Sequence, residues 1–179
     1  MILPFSTKLN EKETFFVEKI LKCLLTEYEN TDRDDLIGTL NCVYDYEIFL
    51  NNEKINVWQN LGNSKPKLHT LRDDINDRWH RGIIIDFFIN VRQKNMFRFA
   101  PKVPVVSTQK VYMTYKFGDV IEISIGDKYL MSYTERLEFA INDGFDNWED
   151  FFNYFYPKIK AAPGELYKPK LIHWTDLKY

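Results

Sequence analysis

The stretch "TERLEFAINDGFDNWEDFFNYFYP", Thr134–Pro157, decides the fold class. It reads as two short helices. Asn142-Asp143-Gly144 makes the break, and Gly144 ends the first helix because glycine tolerates the left-handed turn there. The Phe and Tyr residues of "WEDFFNYFYP" fall at helical spacing, which makes them core packing. Before this stretch lie three segments rich in β-branched and aromatic residues: "GIIIDFFIN" (82–90), "KVPVVSTQKVYMTY" (102–115) and "DVIEISIG" (119–126). They read as strands. "FGDV" and "IGDK" are hairpin-like turns. After it, "KLIHWTDLKY" begins as a strand.

Further out, residues 2–7 can form a short strand. "NEKETFFVEKILKCLLTEYE" (10–29) reads as an amphipathic helix, with Phe16, Ile20 and Leu24 on one face and Val17, Leu21 and Tyr28 beside them. Asn10 and Glu13 resemble its capping box. "DLIGTLNCVYDYEIFLNN" (35–52) carries Leu36, Leu40, Val43 and Leu50 at helical spacing, although Val43, Tyr44 and Ile48 also suit a strand. "NLGNSKPK" (60–67) is a loop by its composition. The sum is an α+β chain of one domain.

With 45% hydrophobic and 16% aromatic residues, the 179-residue chain has ample material for a core, so disorder is not expected. Two cysteines, Cys23 and Cys42, lie far apart without histidine neighbours, which fits reduced thiols packed as small apolar groups. The start of the chain has no signal-peptide pattern, and no window is apolar enough for a membrane span. A cytoplasmic protein without membrane contact is the expectation. There is no P-loop or dinucleotide glycine pattern, and neither cofactor nor metal is expected.

The charge is informative by its distribution. Six of the 24 basic residues (Arg92, Lys94, Arg98, Lys102, Lys110 and Lys116) lie between Phe87 and Gly118, with no acid among them. Phe97, Phe99, Tyr112 and Tyr115 are interleaved. Single-stranded nucleic-acid sites combine such charges with such rings. A solvated sheet face carries the same pattern.

Within "KPKLHTLRDD" (65–74), Lys67, Thr70 and Arg72 form K-x-x-T-x-R. On a strand, Thr70 and Arg72 share a face and Lys67 does not. A turn that brought Lys67 to Thr70 in a desolvated cleft would let the amine take the hydroxyl proton. A polar strand edge is the plainer reading. Asp73, Asp74 and Asp77 lack a calcium-loop pattern and read as charge at a helix start. His173, Thr175 and Asp176 fail as a hydrolytic triad, since Thr175 and Asp176 face opposite ways on a strand.

"KLHTLRDD…RWHRG", the strands after it, "LEFAINDGFDNWEDFFNYF" and the last strand together resemble the ASCH family, the activating signal cointegrator homology domains. The resemblance covers residues 67–176 and is closest to ASCH-like proteins of bacteria and their phages; Phe15–Tyr28 matches only as a pattern of apolar positions. It implies a PUA-like fold, a small β-barrel with flanking helices, here with a helical insertion at about 30–64. That insertion could cover the cleft, reshape the pocket or contact a partner.

The resemblance further implies RNA or nucleotide binding in a cleft walled by residues 67–72 and by the Asn142–Phe145 break, with Arg92, Lys94 and Arg98 facing phosphates. Some compact members with K-x-x-T-x-R are amidohydrolases acting on N4-acetylcytidine. By position, Lys67 would be the base, Thr70 the nucleophile, and Arg72 and Asn142 substrate-binding groups. Asp143 stands where those members carry glutamate, one methylene longer.

Overall fold

Runs of alternating or β-branched residues become strands, and the 3.6-residue patterns become helices, in a mixed α+β chain. The computed structural model describes all residues except 10, 30, 31, 52–55, 116, 118 and 119. In chain order the elements are β1 (Ile2–Pro4), β2 (Lys8–Leu9), β3 (Lys12–Glu13), α1 (Phe16–Tyr28), α2 (Arg33–Phe49), α3 (Val57–Asn63), β4 (His69–Arg72), β5 (Ile84–Ile89) and β6 (Phe97–Arg98). There follow β7 (Val103–Pro104), β8 (Ser107–Tyr115), β9 (Ile121–Ile125), β10 (Lys128–Tyr129), α4 (Tyr133–Asn142), α5 (Trp148–Ala161), β11 (Leu166–Tyr167) and β12 (Lys170–His173). Among the described residues no helix is long and apolar enough to cross a membrane.

The chain divides into two compact units, Met1–Lys67 with Ile83–Pro104, and Leu68–Gly82 with Val105–Tyr179. In the first, β5 pairs in parallel with β1 and antiparallel with β6 and β7. Phe5, Phe87 and Phe99 pack together in its core, with ring centroids 5.9 Å apart. The described part of the 30–64 segment belongs here and carries the helices α2 and α3. The Lys22 ammonium donates to the carbonyls of Gly62 (2.8 Å) and Ser64 (2.6 Å), a cation at the carbonyl end of α3.

The capping-box expectation is corrected. Asn10 lies outside the described residues, and Glu13 is in strand β3, paired with Lys8 at 3.0 Å. Helix α1 begins at Phe16, where the backbone N–H donates to Thr14 Oγ1 at 3.3 Å. The first strand also ends sooner than expected, at Pro4.

In the second unit a sheet runs β10-β9-β8-β12-β4, with β11 also on β8. Among the described residues no sheet closes into a barrel. "IGDK" forms the β9–β10 turn, with Gly126 at φ 57°. The Gly118 and Asp119 of "FGDV" lie outside the described residues. Helix α4 opens on a capping box, Ser132 with Glu135. Gly144, at φ 94°, ends it as the sequence predicts. Phe151, Phe155 and Ile159 form the buried face of α5. This helix does not stop at Pro157. The proline lacks only the N–H that would reach the Asn153 carbonyl, and both residues are exposed, so water can serve that carbonyl.

Asp73, Asp74 and Asp77 start no helix. They lie around a turn whose Asp74 carboxylate accepts from the Arg78 and Trp79 N–H groups, both at 2.9 Å, and from Lys170 at 2.6 Å. Lys170 also bonds Asp77. Burial pushes the Asp74 carboxyl upward, but these donors outweigh it and hold the group below its ordinary value.

Candidate functional site

Edge strands need a cover for their open hydrogen-bonding side. β4 pairs with β12 on one side, Thr70 opposite Ile172 and Arg72 opposite Lys170. On its other side the end of α4 supplies the acceptors. Leu68 N–H donates to the Asn142 carbonyl (2.8 Å), and Leu71 N–H to Asp143 Oδ1 (3.0 Å). A helix end thereby completes the strand, and the Asn-Asp-Gly break is what aims these groups at it.

Thr70 and Arg72 share a strand face, as the alternation predicts. Thr70 is buried and Arg72 half-buried. Burial pulls the Arg72 guanidinium down from its ordinary value, while the charges of Asp143, Tyr154, Tyr167 and Asp73 act the other way. The Tyr167 phenol is pushed well above its usual range by burial and by its hydrogen bond with Asp73. Arg72 thus lies within electrostatic reach of two acids and two phenols.

On the other face of β4 lies a group the sequence reading missed. His69 is fully buried, with Nδ1 3.5 Å from Asp143 Oδ1 and Nε2 2.8 Å from the Tyr179 hydroxyl. The Asn142 side-chain amide also donates to that hydroxyl, at 2.9 Å. Gln109 pins the Tyr179 backbone through Nε2 (3.1 Å) and Oε1 (3.3 Å). Burial raises the Tyr179 phenol above its ordinary value despite the Asn142 bond, so the hydroxyl stays protonated. His173 stands opposite His69, its ring centroid 5.4 Å away. Neither ring nitrogen of His173 has a hydrogen-bond partner among the described residues. Only the histidine inside the K-x-x-T-x-R segment hinted at this network in the sequence.

Asn142 and Asp143 therefore have structural partners of their own. Asp143 Oδ1 serves the strand and faces His69, and the Asn142 amide holds Tyr179. Lys67 belongs to the first unit, where it is 1% exposed. Its N–H donates to the Lys19 carbonyl (3.0 Å), and Nζ lies 4.8 Å from the Phe16 ring centroid and 5.9 Å from that of Phe5. Aromatic faces at that range favour a cation.

The basic stretch is divided. Arg92, Lys94, Arg98 and Lys102 are in the first unit, Lys110 is on β8 in the second, and Lys116 lies outside the described residues. Arg92 and Lys94 are exposed on the β5–β6 turn, where Arg92 takes φ 69°. Arg98 and Lys102 flank Asp86 at 4.0 and 3.7 Å, so an acid just before the stretch tempers its charge. The interleaved rings are corrected in part. Phe99 is core, and Phe97 stacks on Phe49 at 4.4 Å, so neither is an open platform for bases.

Among the described residues no group of three His, Cys, Asp or Glu side chains is placed to hold a metal ion. Comparison of the chain with protein-family models, with curated proteins and with solved structures finds no match.

Proposed function

We propose that the chain is an ASCH-like module of the PUA-like kind that binds RNA or nucleotides. Thr70 and Arg72 would contact the ligand, and Arg92, Lys94 and Arg98 its phosphates. One observation carries this reading: Thr70 and Arg72 share one face of β4, and Arg72 lies within electrostatic reach of carboxylates and phenols. A guanidinium, with its planar fork of donors, is suited to a planar base edge or a phosphate. Asp143 and Asn142 act as the frame that holds the strand.

A labelled single-stranded RNA, followed by fluorescence anisotropy from 50 to 200 mM salt, tests the phosphate part. Affinity is expected to fall as salt rises, with a slope of about 0.7 per phosphate contact. Neutralising Arg92, Lys94 and Arg98 together should remove about 2 from that slope. Salt-independent binding, or an unchanged slope, would refute it.

A second reading is favoured by the burial of Lys67. It takes the chain as an amidohydrolase of an acylated nucleoside such as N4-acetylcytidine, with Thr70 as nucleophile, Lys67 as base and Asp143 as the acid of the set. Hydroxyl attack would form an acyl-threonine and release the base amine, and water would then free the acid. Release of cytidine by the wild type and not by Thr70→Ala is the expected result; equal turnover in both would end that assignment.

A further inference from the structure

The first unit holds a cavity of about 400 Å³ at the start of α1. That lies within the ~300–1,000 Å³ range of small-molecule sites. Its wall is mixed. Phe15, Phe16 and Tyr46 supply rings, whereas Asn56, Gln59 and Asn60 at the start of α3 supply amides. Glu13 and Glu18 supply carboxyls, and among the described residues no lysine or arginine lines it.

Glu18 is the built part of this site. It is the third residue of α1, only 3% exposed, and hydrogen-bonds with the Asn60 side chain and with its own backbone N–H. Burial raises the carboxyl above its ordinary value. The residue before the helix, Phe15, holds a left-handed φ of 52°. Bulky side chains rarely adopt that conformation, and where they do a functional reason is worth seeking.

The lining selects by chemistry. Glu13 is paired with Lys8, so Glu18 is the carboxyl that faces a ligand, and its buried oxygens disfavour phosphates and carboxylates. They welcome N–H donors, and a carboxyl oxygen accepts in either protonation state. Amides offer a donor beside an acceptor, which is what the edge of a heterocycle presents. Aromatic rings offer faces for its plane. We propose that this cavity seats an uncharged nucleoside whose base carries an exocyclic amino group, cytidine or adenosine, with that amino group donating to Glu18. The inference does not rest on the RNA-binding reading, because its residues and its ligand charge are different.

Isothermal titration of the full chain with cytidine and with uridine tests it, since these differ at the amino or carbonyl position. Cytidine is expected to bind at least tenfold tighter. Glu18→Gln keeps the volume but offers an NH2 as well as an oxygen, so the preference should shrink to nearly none. Gln59 is exposed, so Gln59→Ala leaves the fold alone and should weaken cytidine severalfold. Arg72→Lys should leave cytidine binding unchanged, which separates this site from the RNA-binding one. Equal affinity of the wild type for cytidine and uridine, or selectivity retained in Glu18→Gln, would overturn the proposal. So would binding of agmatine without cytidine, which would make the cavity a seat for an organic cation.

Discussion

Phe155→Ala is expected to lower the unfolding free energy by about 3–5 kcal/mol. The side chain is 1% exposed, and its ring lies 4.6 Å from Phe151, 4.9 Å from Tyr154, 6.0 Å from Phe145 and 6.2 Å from Tyr167. These four neighbours are stiff rings, and the Lys158 ammonium lies 5.9 Å from its centroid. Rings on both α5 and β11 cannot collapse into the space that alanine would leave. The cavity term therefore adds to the lost burial, and the upper part of that range is expected. Urea denaturation reads the effect as a lower midpoint at an unchanged slope. A loss below about 1 kcal/mol would mean that this cluster relaxes as a softer core does.

Acid should expose His173. Its imidazole is pushed down from 6.5 to about 3, chiefly by burial and then by the neighbouring His69 and Lys178 charges. Between those values the unfolded chain holds a proton that the folded chain does not. Stability is therefore fully present above pH 6.5 and falls as pH drops below it, by about 1.4 kcal/mol per pH unit. From pH 7 to pH 5 this one group removes about 2 kcal/mol. The faces it meets are the His69 and Tyr179 rings. His173→Phe should lose about 2 kcal/mol less than the wild type over the same interval, read by denaturant melts at both pH values. An identical loss in both proteins would show that the acid sensitivity belongs elsewhere.

Where one local rule governs, the sequence was sufficient. Gly126 and Gly144 mark turns because their positive φ suits glycine. The aromatic period of α5 was plain, since Phe151, Phe155 and Ile159 all point inward. The alternation along β4 correctly put Thr70 and Arg72 on one face. Helix α2 was ambiguous for a physical reason: Val43 and Tyr46 are buried while Ile37, Tyr44 and Ile48 are exposed, so no single apolar stripe exists. The start of α1 was misplaced because Glu13 found a partner across a hairpin, a pairing no helical pattern announces. The His69–Tyr179 hydrogen bond joins residues 110 apart, and only the register of β4 against β12 brings their surroundings together. Asp86 was overlooked as a neighbour of the basic stretch because it lies outside it in sequence and beside Arg98 only through the pairing of β5 with β6.

The measurement that bears most directly on Arg72 as a ligand-binding group is the affinity of single-stranded RNA for the wild type and for Arg72→Lys at one salt concentration. Lysine keeps the positive charge that faces Asp143, so the thermal melt should hold, but it lacks the planar fork of donors. A loss of about tenfold or more, with the melt unchanged, is the predicted result, since a charged hydrogen bond is worth roughly 1.5–3 kcal/mol. Equal affinity in the two proteins would contradict it and leave Arg72 as part of the frame that holds β4.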